Sequence, residues 1–277
     1  VLQPDKPLEV KPVKIAVSPE FLYTMTEKTV ANITIEVFSE DGLLALDTRT
    51  VDILAYDQWT GTAFMPEMVS AFVTPNHPLV REVISDAGIY MQKWTKDPAF
   101  TAYITQNPSN VKMQMAAIYA ALQQRNIAYA MPPASFEDAQ RIRLPETVLT
   151  EKRGTCLDLA VLYCSCLENV GLNPILIFTE GHAFAGCRLS EDTFPDSIVY
   201  DCSAITKRTA VGIDELCLVE CTDFVAGRSV DFDDASAHAN ENLSDAEKFQ
   251  HAVDIARARG CGIRPIPTRV NENGVYK

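Results

Sequence analysis

Residues 153–174, RGTCLDLAVLYCSCLENVGLNP, constrain the fold more than any other stretch of the chain. Thr155 and Asp158 have the spacing of a capping box, which makes Thr155 the N-cap and Cys156 the first helical residue. Leu157, Ala160, Val161, Cys164 and Leu167 recur at helical spacing and form the buried stripe, with Cys164 acting as a small hydrophobe and Cys166 at its edge. Gly171 stops the helix and Pro174 lies just beyond it. The run PILIFTEGHAFAGCRL then gives one or two strands. A core helix must therefore pack on a sheet that follows it directly.

The remaining pattern agrees with an α+β protein, its strands and helices largely segregated along the chain. Residues 1–56 read as a small N-terminal β module in which VKIAVS, TVANITIEVF and RTVDILAY are strands, with a turn at Glu40-Asp41-Gly42. Residues 57–277 form the second domain. Pro78 opens a helix to about Trp94 whose inner stripe is Leu79, Val80, Val83, Ile84, Ala87 and Met91. Asn110 caps another, with Val111, Met115, Ile118, Tyr119 and Leu122 inward. The stretch AMPPASFEDAQRIRLP is an irregular connection stiffened by its prolines. Residues 190–213 form a polar surface insert, and DELCLVECTDF is a further strand. A last helix starts at Ser244 through a Ser-x-x-Glu capping box and ends at Gly260.

Composition removes several function classes. A net charge of −13 repels phosphate backbones and anionic lipid, so no nucleic-acid binding is expected. No apolar run approaches the length of a membrane span. The first residues lack a signal-peptide core and read as a processed or truncated end. The eight cysteines form no paired Cys-x-x-Cys array; a chain this long needs no disulfide staples, so reduced, mostly buried thiols and a cytoplasmic location are expected.

A thiol at a helix start sees the positive end of the dipole and unpaired N–H donors, which favour the thiolate, the nucleophilic form. The same amides could hold an oxyanion, and Gly154 would let a substrate backbone approach. Of four histidines, His182 in TEGHAFAGC has the setting of a partner base, at a strand facing the helix start. His77 between prolines reads as a turn residue, His238 lies in a polar stretch, and His251 falls on the outer part of the last helix. Glu220 and Asp201 compete to orient the imidazole. Glu220 is favoured because a charge in an apolar strand needs a partner. Gln140, Arg143 and Thr155 are candidates for binding substrate or an oxyanion. A zinc site from Cys156, His182 and Cys187 is disfavoured because the short ligand spacings are missing, and no metal or cofactor is expected.

Residues 140–225 resemble the transglutaminase-like superfamily of cysteine enzymes. The resemblance rests on Gly154-Thr155-Cys156 at a helix start, His182-Ala183-Phe184 on a strand and Glu220-Cys221-Thr222 on the next. It implies a papain-like core of helices on an antiparallel sheet, and a Cys-His-acid triad acting on a protein or peptide through a thioester. Bacterial relatives lean toward hydrolysis by a peptidase or amidase; the alternative is a non-catalytic interaction module that keeps the fold. A wider likeness over LAYDQWTGTAFMPEMVSAFVTPNHP, PPASFEDAQRIRLPETVL and ARARGCGIRPIP resembles a region found ahead of helicase-related segments in large bacterial proteins; it implies a fragment or a stand-alone relative of such proteins, for which helicase-like segments are a candidate partner. The chain departs from the pattern in carrying Glu where Asp is usual, and in the long insert after His182, which could act as a lid.

Overall fold

The computed structural model describes residues 18–131, 140–267, 271–272 and 275–276, in two compact units. In the first, helix α1 (Pro19–Thr24) is capped by the Ser18 hydroxyl, which accepts from the Phe21 N–H. Strands β1 (Thr29–Ser39) and β2 (Gly42–Ile53) pair antiparallel across the turn at Glu40 and Asp41, with a register shift between Val37 and Phe38. The apolar residues of these strands remain open: Val30, Ile35, Phe38, Leu44 and Leu46 are all exposed. A short antiparallel pair, Asn271–Glu272 with Val275–Tyr276, belongs to the same unit. The expected strand VKIAVS lies outside the described residues.

The second unit holds the core. It opens with β3 (Gln58–Trp59), a 3-10 helix (Pro66–Phe72), α2 (Pro78–Thr95) and α3 (Pro108–Gln123). Four short elements follow: β4 (Ala128–Tyr129), β5 (Gln140–Arg141), α4 (Pro145–Glu151) and β6 (Arg153–Gly154). Next come α5 (Cys156–Asn169), β7 (Pro174–Thr179), β8 (His182–Arg188) and β9 (Ile198–Val199). The chain continues through α6 (Cys202–Thr209), β10 (Leu216–Val219), α7 (Phe232–Glu241), β11 (Phe249–Asp254) and α8 (Ile255–Gly260). The main sheet runs β10-β8-β7-β11-β9 and every pairing is antiparallel.

Strand β7 explains why its sequence is apolar throughout rather than alternating. All six of its residues are buried, so both faces of the sheet are covered. Ile175 and Ile177 join a cluster with Phe184, Phe194, Ile205, Leu218, Leu243 and Ala252. The intervening Leu176 and Phe178 point to the other face, where α5 lies against β7 and β8. Gly181, at φ +69, closes the two-residue turn that sets His182 opposite Thr179. From α8, Arg259 forks onto Glu168 near the end of α5 at 2.8 and 2.9 Å and also donates to the Ser70 and Val73 carbonyls.

Several expectations are corrected. Asn107, not Asn110, caps α3: its side chain accepts from the Ser109 N–H at 2.9 Å, with Pro108 in the first turn. The last helix does not begin at Ser244. Asp245 caps a single 3-10 turn there, and Phe249–Asp254 is a strand between β7 and β9. The exposed backbone groups of β7 need a partner strand, and that long-range demand outweighs a local capping signal. The 190–213 insert is structured, since it carries β9 and α6 and buries Phe194 and Ile205 in the core cluster.

Candidate active site

The start of α5 is built as its sequence requires. The Thr155 hydroxyl accepts from the Asp158 N–H at 3.3 Å, and the Asp158 carboxylate accepts from the Thr155 N–H at 2.9 Å. Asp158 is fully buried and also accepts from the Arg143 N–H and guanidinium, at 2.9 and 3.1 Å. These bonds fix Cys156 in the first turn, where its N–H has no intrahelical acceptor. Gly154 is not an open approach for substrate. A Cβ there would meet Asp158 and Leu159 at 3.3 Å, so the absent side chain makes room for the helix's own first turns.

Cys156, His182 and Glu220 converge. His182 is the first residue of β8, and its Nε2 lies 2.7 Å from Glu220 Oε2. Cys156 is the other group that acts on this ring. Burial disfavours charge on this ring, yet the bonds to Cys156 and Glu220 and their negative charge outweigh it, raising His182 from 6.5 to about 10. Glu220 sits just past the end of β10, not within it, and caps a 3-10 turn by accepting from the Thr222 N–H at 2.8 Å. Its Oε2 also accepts from Asn242 Nδ2 at 2.8 Å. Burial would raise the Glu220 carboxyl, but His182 and the Thr222 bonds hold it below its ordinary value.

The other candidates fall elsewhere. Asp201 is exposed and caps α6 through the Ser203 N–H and hydroxyl, so it does not orient His182. Its nearness to His182 in sequence is offset by the insert, which carries it away. Arg143 is committed to Asp158, and Thr155 to the helix cap. Gln140 pairs across β3–β5 with Trp59 and is buried, its Oε1 lacking a hydrogen-bond partner among the described residues. His77 caps α2 by accepting from the Leu79 N–H, and His238 binds Asp223 at 2.7 Å. His251 lies in β11, buried and stacked on Phe178 at 4.7 Å. All eight cysteines are free thiols. Among the described residues no group of three His, Cys, Asp or Glu side chains could hold a metal ion, and no helix is long and apolar enough to cross a membrane.

Two residues at this site carried no sequence signal. Asn242, just past α7, steadies Glu220, and Tyr129, on β4 opposite Gly154, is raised in pKa by burial and by Cys156. Both arrive through long-range packing.

Comparison with known proteins agrees with this architecture. Residues 98–179 match the model of the transglutaminase-like superfamily, a span that includes Cys156 and stops short of His182. No curated protein matches the chain. A solved structure from Parabacteroides distasonis, named only provisionally as a protease, aligns at 14% identity and a TM-score of 0.28. That alignment covers 59% of this chain and 36% of the other, and a likeness so low carries no argument. The matched span runs from before α3 to the end of β7, so over those residues the α+β unit built around α5 is similar to the transglutaminase-like superfamily.

Proposed function

We propose that the protein is a cysteine-dependent acyl-transfer enzyme, a peptidase or amidase acting on a protein or peptide. The observation that carries this reading is the 2.7 Å His182–Glu220 bond, on a ring that Cys156 at the start of α5 also influences. A nucleophile, an imidazole and a carboxylate that orients it are the parts such chemistry needs, and these three residues supply the matching groups. The Cys156 sulfur attacks an amide carbon, and the carbonyl electrons move to oxygen. As the intermediate collapses, the C–N bond breaks and His182 gives its proton to the departing nitrogen. With His182 raised to about 10, that proton is in place throughout the neutral range. Water then attacks the thioester, passing a proton to His182; the acid leaves and the sulfur is restored.

The test uses p-nitrophenyl acetate and intact-protein mass spectrometry. The unaltered chain is expected to acquire an acetyl group on Cys156 and to turn over, whereas Cys156→Ala does neither and His182→Ala acylates on the order of 10² more slowly. Cys261 is free and exposed and serves as an internal reference. A Cys156 that reacts no faster than Cys261 would favour a binding module that merely keeps the fold.

A further inference from the structure

Helix α7 meets the 3-10 turn that Glu220 caps at three places. The Glu220 N–H donates to the Ala235 carbonyl at 3.0 Å. About one turn along, His238 Nδ1 lies 2.7 Å from Asp223 Oδ2, and a turn beyond that Asn242 Nδ2 donates to Glu220 Oε2 at 2.8 Å. His238 and Asn242 are four residues apart and so share one face of the helix. Ala235, Ala239 and Leu243, at the same spacing, are buried and seat α7 on the core. The half-buried Asn242 is fixed in its turn by its own N–H, which donates to the His238 carbonyl at 3.1 Å.

The Glu220 carboxylate is thereby held from all sides. Oε2 accepts from both His182 and Asn242, at 2.7 and 2.8 Å, which fills its two lone pairs. Oε1 accepts from the Thr222 N–H at 2.8 Å. With Thr222 alone, that bond would be a pivot about which the second oxygen could swing away from the ring, since a glutamate side chain keeps considerable rotational freedom until it is pinned. The neighbouring carboxylate, Asp223, is taken up by Arg228 and His238 and does not compete for Asn242. We propose that Asn242 is a positioning residue that acts through Glu220, its amide aiming the carboxylate oxygen at the His182 ring. The role rests on the acyl-transfer reading above, and α7 is the element that delivers it.

The four histidines of the chain make the test self-referenced. In protein labelled with 15N-histidine, with His182 assigned through His182→Gln, Asn242→Leu removes the donor at similar volume. The His182 titration is expected to fall from about 10 toward 6.5 as its partner loses aim. His238, which the Asp223 carboxylate holds above its ordinary value from the same helix, should titrate as before. Acylation of Cys156 by p-nitrophenyl acetate should slow about 10- to 10²-fold with KM little changed. Asn242→Asp gives a second reading: the introduced carboxyl donates to Glu220 only while protonated, so its deficit against the unaltered chain should shrink as pH falls. An unchanged His182 titration, or an Asn242→Asp deficit that is the same at every pH, overturns the proposal. A fall at both His182 and His238 overturns it too, because Asn242 would then serve the seating of α7 and not the carboxylate. Should the unaltered chain form no acetyl-Cys156, the acyl-transfer reading fails, while a fall at His182 alone would still mark Asn242 as what aims the ring's partner.

Discussion

At the scale of single residues, the charge on Glu220 sets the behaviour of the site. The side chain is nearly buried and accepts three hydrogen bonds, from His182, Asn242 and Thr222. Glu220→Gln keeps the shape and removes the charge, and should lower acyl turnover by about 10²–10⁴-fold. It also has a signature in stability. His182 is raised from 6.5 to about 10, so its contribution is complete below pH 6.5 and is lost as pH climbs to about 10. The Glu220 carboxyl is lowered, so its contribution is complete above its ordinary value and is lost as pH falls below it. Both are present together in mildly acidic solution. The melting temperature of the unaltered protein should exceed that of Glu220→Gln most near pH 5–6, with the gap closing above about pH 10. A gap independent of pH would show that the two side chains are not charged partners.

At the scale of elements, the local and the distant explain what was legible. Thr155 and Asp158 write the start of α5 into four consecutive residues, and Gly171 writes its end, so the helix that carries Cys156 could be read directly. The strand character of residues 174–189 was readable too, though whether they made one strand or two was not; the turn at Gly181 divides them into β7 and β8. Residues 244–254 were not. Their capping pattern suits a helix, but the open edge of β7 recruits Phe249–Asp254 as a strand, and no local signal states that need. Asn242 and Tyr129 were missed because each reaches the site from elsewhere in the chain. The cap of α5 has a measurable weight. Thr155→Ala removes one side-chain acceptor and should cost about 1 kcal/mol in urea unfolding. Asp158→Ala leaves the Thr155 N–H and two Arg143 donors without their acceptor and should cost about 3–5 kcal/mol. Equal costs would show that Asp158 acts only as half of the capping box.

At the scale of the whole molecule, the two units differ in how they can be stable. In the unit that starts at Asp57, burial is continuous: from Trp59 to Ala258 the buried apolar residues line both faces of a five-stranded sheet. Arg259 and Glu168 further tie its last helix to α5. The β1–β2 hairpin, by contrast, leaves most of its large apolar side chains open, and a lone two-stranded hairpin is marginal in water. We therefore propose that residues 57–268 fold without the N-terminal strands. A chain of that span should unfold cooperatively in urea with the midpoint of the full protein, retain its helical circular dichroism, and acylate Cys156 at the same rate. Residues 18–56 alone should show no cooperative transition. A truncated chain that kept its helical signal but lost the midpoint would mean that the open hairpin supplies stability that the sheet and α5 do not.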